Sequence, residues 1–146
     1  MEIHNHDVKE QKSSFENKGF DPDKRVEVKE TAPVTGGSYS EVKKNTDSST
    51  HEVHHMPSDS SSNLERNDGP EIRMETKDHM QTASWGNSKE ARAYRTEQKN
   101  LIDQGKFIEA VKMDIDDIKS KFNDKYDKEI DQMMKYVDKL EANKQI

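Results

Sequence analysis

Glu52-Val53-His54-His55-Met56-Pro57, followed after a polar loop by Gly69-Pro70-Glu71-Ile72-Arg73-Met74-Glu75-Thr76-Lys77-Asp78-His79, is the stretch that decides the fold. The first run is a strand candidate, and Pro57 removes a backbone donor where its ladder should stop. Ser58 to Asp68 forms a polar loop that ends in the Gly69-Pro70 turn signal. Ile72 and Met74 alternate with Glu71 and Arg73, which predicts a second short strand. Thr76 can cap a helix carrying Lys77, Asp78 and His79. Just upstream, Tyr39 to Lys43 alternates weakly and is a further strand candidate.

The flanks differ in kind. From residue 1 to about 35 the apolar residues are scattered among Lys, Glu, Asp and Ser with no sustained period, which predicts a disordered linker or tail; Gly36-Gly37 then punctuates the chain. From Asn87 onward the pattern is helical. Ala91, Tyr94, Gln98 and Leu101 share one side of a helix capped by Asn87 or Ser88 and ended by Gly105. Phe107, Ala110, Val111, Ile115, Ile118 and Phe122 mark a second helix that stops near Asn123. Tyr126, Ile130, Met133, Met134, Val137 and Leu140 mark a third, capped at Asn123 or Asp124. Short connections make the three antiparallel neighbours, and their stripes are core, because each helix must bury one face to be stable. Trp85 is expected to be a core anchor.

Composition narrows the chemistry. A chain of 146 residues supports one domain, yet only 28% of residues are hydrophobic, 37% are charged and the mean hydropathy is −1.28, so part of it should not pack. The absence of cysteine excludes disulfides, thiolate-bound metal and thiol catalysis. No apolar run approaches the roughly 20 residues that span a bilayer, so no membrane insertion is expected. With a net charge of −6 there is no protein-wide positive field, and any nucleic-acid chemistry must come from a local site.

Four of the six histidines, His51, His54, His55 and His79, lie within residues 51 to 79. Two strands and a helix that deliver imidazoles to one spot have the layout of a one-metal phosphodiester-cleaving site. Such a site needs one divalent cation to spread the charge of the transition state and one uncoordinated base to take a proton from water. Adjacent histidines can do both jobs, but neighbours on a regular strand point to opposite faces, so the strand is expected to twist or bulge before Pro57. Glu52 shares a face with His54 and is free to ligate or to hydrogen-bond to it. Asp78 can orient His79, bind metal or cap the helix. Between Gly69 and Asn100 six bases meet five acids, and Lys89, Arg92, Arg95 and Lys99 share one helix face, where with Arg73 they could hold a phosphate backbone without reading its sequence.

Gly37-Ser38-Tyr39-(x)-Glu41-Val42, Glu52-Val53-His54-His55-Met56-Pro57, Gly69-Pro70-(x)-Ile72-(x)-Met74 and Asp78-His79-(x2)-Thr82-(x)-Ser84-(x)-Gly86, in that order and spacing, resemble the toxin branch of the HNH/Endonuclease VII (His-Me finger) nucleases, in particular toxin families with a Glu-His-His-His signature. The resemblance covers residues 37 to about 125. It implies an α+β fold, with a small ββα-metal core at 36–86 followed by the helical buttress at 87–146. It further implies His54 and His79 as ligands of one divalent ion (Mg²⁺, Mn²⁺, Ni²⁺ or Zn²⁺), with Asp78 as a further candidate, His55 as general base, and a monomeric endonuclease acting on DNA or, alternatively, RNA. Glu52 completes the signature without a settled role, and the middle Asn is Asn63 or Asn67. The family also implies the toxic end of a secreted bacterial effector, exported without a signal peptide, acting in the target cytoplasm and matched by a cognate immunity protein. The rival reading, favoured by the acidity and the three helices, is a non-catalytic interaction or immunity-type domain with a disordered arm.

Overall fold

The computed structural model describes residues 33–146. Within them lie a three-stranded antiparallel sheet and five helices, an α+β arrangement. The strands are β1 (Gly36–Ser38), β2 (His51–His55) and β3 (Pro70–Glu75); the helices are α1 (Tyr39–Lys44), α2 (Thr76–His79), α3 (Lys89–Asp103), α4 (Phe107–Phe122) and α5 (Asp127–Ala142). β3 is central, flanked by β1 and β2. The expected tail lies outside the described residues up to position 32. Its last three residues are held: Gln132 Oε1 accepts from Thr35 N at 2.9 Å and Gln132 Nε2 donates to Pro33 O at 3.1 Å.

Two local expectations need correction. Gly36-Gly37 is strand, not punctuation, because α5 crosses β1 too closely for a side chain. A Cβ at Gly36 would overlap the Glu129 carbonyl oxygen and stand 2.9 Å from Met133 N. Tyr39 to Lys43 is helix α1 rather than strand: Ser38 Oγ accepts from Glu41 N at 3.3 Å, a side-chain cap, and Val42 alone supplies the buried contact of a one-sided six-residue helix.

The sheet divides the molecule. Gly36 pairs with Ile72 across the β1–β3 ladder and His54 pairs with Ile72 across the β2–β3 ladder, so all three share the face covered by α5. On that face Ile72 and Met74 join Met56 and the apolar stripes of α4 and α5 in one core. The opposite face carries Glu71, Arg73 and His55 and is covered by α1.

The helical half follows its sequence closely. Ser88 Oγ caps α3 by accepting from Ala91 N at 3.0 Å, Gly105 takes φ 79° beyond its end, and Asn123 takes φ 55° after α4. α5 begins at Asp127, later than a cap at Asn123 or Asp124 would give, because residues 123–126 form a turn closed by Lys125 N to Phe122 O at 3.1 Å. Trp85 is 44% exposed in the connection between α2 and α3; apolar residues of α3–α5 already fill the core it was expected to anchor. Among the described residues no helix is long and apolar enough to cross a membrane.

A buried polar network fastens the loop after β2 to this helical half. Gln98 Oε1 accepts from Ser58 Oγ at 3.0 Å, Gln98 Nε2 donates to Asp114 Oδ2 at 2.8 Å, and Tyr94 Oη donates to Asp114 Oδ1 at 2.8 Å. Burial pushes the Asp114 carboxyl up to about 7 in spite of these two donors.

Candidate functional site

The β2–β3 ladder pairs His51 with Glu75 and each following residue in turn down to His55 with Glu71, with no extra residue on either strand. The expected bulge is therefore absent, and the regular alternation sends His54 and His55 to opposite faces. The three histidines do not converge on one point; they form two groups at the rim of edge strand β2.

His54 and His79 make the first group. β3 runs straight into α2, a four-residue helix that returns His79 over β2, where its ring meets that of His54 edge-on with centroids 5.1 Å apart. Glu52, two residues before His54 and so on the same face, bonds His79 instead: Nδ1 lies 2.5 Å from Glu52 Oε1. That contact is to His79 rather than to His54, the partner the sequence suggested, and leaves Nε2 as the other ring nitrogen of His79. His54 is 2% exposed, and its Nε2 is buried without a hydrogen-bond partner among the described residues. Burial, and then the proximity of His79, His55 and Lys121, holds its pKa well below the ordinary value. Burial thus favours the neutral ring, the form in which imidazole ligates a metal.

His55 belongs to the second group. Its Nε2 lies against Glu71 Oε2 across the ladder, an ion-pair approach without hydrogen-bond geometry, and its ring stacks on Tyr39, centroids 5.2 Å apart with an interplanar angle of 21°. Arg66 covers Tyr39 in turn, 5.0 Å from the ring centroid. Glu71 is fully buried, which raises its carboxyl to about 7 although His55 beside it pulls the other way. A cleft of about 240 Å³ opens here, lined by Tyr39, Lys43, His51, Glu52, His55 and Arg66. It takes Glu52 from one face of β2 and His55 from the other, whereas His54 and His79 do not line it.

The remaining candidates are placed as follows. Asp78 is buried and faces the α4–α5 turn, where Oδ2 accepts from Lys125 Nζ at 2.7 Å and from Tyr126 Oη at 2.6 Å. Burial works to raise its pKa, but these donors outweigh it and hold the carboxyl below the usual range. In this setting Asp78 anchors α2 and so fixes the base from which His79 projects. Arg73 lies on the α1 face, its Nη1 donating to Asn45 O at 3.0 Å, on the opposite side of the sheet from His54. Arg92, Arg95 and Lys99 of the basic stripe line a second cleft of about 250 Å³ with Ser60, Ser61 and Thr96; Lys89 is exposed on the same helix but does not line it. Arg95 is tied down by bonds to Ser84 O at 2.6 Å and Gly86 O at 2.7 Å, and Lys99 pairs with Asp103 at 3.1 Å. Asn63 and Asn67 are both exposed, and the loop after β2 is held instead by Gln98, whose Oε1 accepts from Ser58 N and Oγ. His51 bonds Thr50 Oγ1 at 2.7 Å at the cleft margin.

Sequence reasoning missed Glu71, Tyr39 and the bracing role of Gln98. Glu71 becomes visible only once the strand register is known. Gln98 had a signal, a polar side chain on the buried phase of α3. Among the described residues no group of three or more His, Asp or Glu side chains stands ready to enclose a metal, so any ion here would be held by two imidazoles and complete its shell with water or substrate oxygen. Comparisons with protein-family models, curated proteins and solved structures gave no match.

Proposed function

We propose that the chain is a metal-dependent endonuclease of the ββα-metal type, hydrolysing phosphodiesters in DNA without sequence preference. The observation that carries the reading is the pairing of His54 with His79 between an edge strand and a short helix, with one orphaned buried nitrogen and one ring oriented by a carboxylate. An unpaired buried nitrogen costs about 1–3 kcal/mol, and coordination removes that cost. A carboxylate on the far nitrogen of a ligating histidine orients the ring and raises its basicity. The donor set thus fits a divalent ion on His54 and His79.

When bound, such an ion supplies Lewis-acid stabilisation of the phosphate and the leaving oxygen. The protein's own residues do the rest. In this reading His55 is the base that takes a proton from the attacking water; it lies on the face of β2 opposite His54, so the phosphate has to lie across the edge of the strand. Arg92, Arg95 and Lys99 lie along a separate cleft on α3 where a nucleic-acid backbone can be held by charge alone, which makes binding steeply salt-dependent. In this reading the chain is the toxin module of a secreted bacterial effector, and an immunity protein would neutralise it inside the producer.

The test is nicking of supercoiled plasmid with Mg²⁺, Mn²⁺, Ni²⁺ and Zn²⁺ in turn. Nicking by at least one, abolished by EDTA, is the expected result. His55→Ala should lower the rate by about 10²–10⁴ at unchanged metal affinity, whereas His54→Ala should weaken metal binding. Intact plasmid with all four metals would end the DNA reading, and intact RNA as well would leave the non-catalytic interaction domain in its place.

A further inference from the structure

We propose that Trp85 is a stacking platform for one unpaired nucleobase, so that the preferred substrate is a single strand or a locally opened duplex. The proposal rests on the nuclease reading above for its occupant and deepens it by naming the form of nucleic acid. The connection from α2 to α3, residues 80–88, carries no charged side chain, although 37% of the chain is charged. Among the described residues the exposed large hydrophobics are Met80 and Trp85, and both lie in this connection. Its backbone is fastened on both sides of the indole. Arg95 Nη1 donates to Ser84 O at 2.6 Å and to Gly86 O at 2.7 Å, so one guanidinium brackets Trp85. Arg92 Nη1 donates to Asn87 O, Lys121 Nζ donates to Gln81 O at 2.8 Å, and Ala83 N donates to Asp117 Oδ2 at 2.8 Å. The backbone is thus fixed while the indole stays 44% exposed. Among the described residues no ring or cation covers either of its faces, and a Cβ at the adjoining Gly86 would meet nothing within 4 Å. A pre-set aromatic face with open space beside it has little freedom left to lose when a flat ring settles on it.

The charge around the indole points to what that flat ring belongs to. The side chains that grip the loop are three bases and one acid, Arg92, Arg95 and Lys121 against Asp117, a local net of +2 in a chain of net −6. Asp117 is itself occupied by Ala83 N and by Lys121. Arg92 and Arg95 also line the cleft on α3, so the same two side chains join that cleft to the loop that bears Trp85. A cationic track with an aromatic face beside it holds single strands without regard to sequence, because every base has a π face. In a closed duplex those faces are already covered by the neighbouring bases. A protein partner would need apolar side chains set among carboxylates to match this surface, whereas each residue of a nucleic-acid strand brings both a flat ring and a phosphate.

Trp85 is the chain's single tryptophan, so its emission reports the site directly. The full chain is titrated, in EDTA so that nothing is cut, with a short oligodeoxythymidylate and with a hairpin duplex of equal length. The single strand should quench the emission saturably, and the hairpin much less. This arm uses the unaltered protein and does not depend on any variant folding. In anisotropy titrations of the same probes carrying a fluorophore, Trp85→Leu should weaken binding of the single strand by about 10–100-fold and leave the hairpin unchanged, and Trp85→Phe should recover most of the loss. A bound single strand that leaves the emission unaltered overturns the platform, as does a Trp85→Leu chain that binds it as tightly as the wild type, or a wild type that binds neither probe. Plasmid nicking by a wild type whose emission ignores the single strand overturns the platform and leaves the nuclease standing. Quenching by the single strand, with plasmid and oligonucleotide intact under all four metals, overturns the nuclease and leaves the platform.

Discussion

At the scale of single residues, the site is defined by what each imidazole nitrogen touches. His79 gives Nδ1 to Glu52, His55 sets Nε2 against Glu71 without hydrogen-bond geometry, and His54 keeps a buried Nε2 with no hydrogen-bond partner among the described residues. Only the first is oriented by a hydrogen bond. Glu52 is 42% exposed at its side chain, so its removal should leave the fold intact and act only through His79. Glu52→Ala should weaken Mn²⁺ or Zn²⁺ binding by about 10–100-fold by titration calorimetry, with an unchanged unfolding midpoint. Equal affinity in variant and wild type would mean that the Glu52–His79 contact is not part of a metal site.

At the scale of elements, the way in which α5 packs on β1 sets where the sheet sits relative to the helices. Gly36 allows that approach, and Gly36→Ala should destabilise the protein by at least about 1–3 kcal/mol in urea unfolding, since backbone rather than a flexible side chain blocks the added methyl. An unchanged midpoint would mean that α5 can slide away freely. This position also shows what the sequence could and could not convey. Two consecutive glycines signal a turn on local grounds; that they are strand depends on a helix some ninety residues later. The helices α3 to α5 were legible because their stripes repeat over four turns, and β2 and β3 because Pro57 and the Gly69-Pro70 turn bound them. α1 was not legible, for six residues hold too little period and its cap is a single serine. The histidine cluster was legible in outline: the meeting of His54 with His79 follows from strand, strand, helix. The separation of His55 from them follows from alternation alone, and only the expected bulge hid it. Its partner Glu71 needed the register, which local pattern does not contain.

At the scale of the whole molecule, the helical half holds the buried polar network that ties the loop after β2 in place, and that network titrates. Burial raises Asp114 from the ordinary carboxyl value of 3.8 to about 7, so the folded state binds its proton more tightly than the unfolded chain does. Its contribution is full below the unfolded pKa and is lost as pH rises through about 7. Asp78, held low, contributes with the opposite sign, favouring the fold above the unfolded pKa and losing that favour in acid. Asp114→Asn isolates the first effect: the melting temperature of the wild type should fall relative to the variant between about pH 4 and pH 7. Parallel profiles across that interval would show that Asp114 does not carry a raised pKa in the fold.

The corner that holds the histidines is not a portable unit. Its inner face offers Ile72 and Met74 to a core made mostly by α4 and α5, and α2 is moored through Asp78 to the turn that joins those helices. Transplanted onto another scaffold without that half, the strands would meet water on the face that α5 now covers and His79 would lose its mooring. Variation in this protein should therefore be felt at the rim even when it strikes the distant bundle, because the two halves have one interior between them.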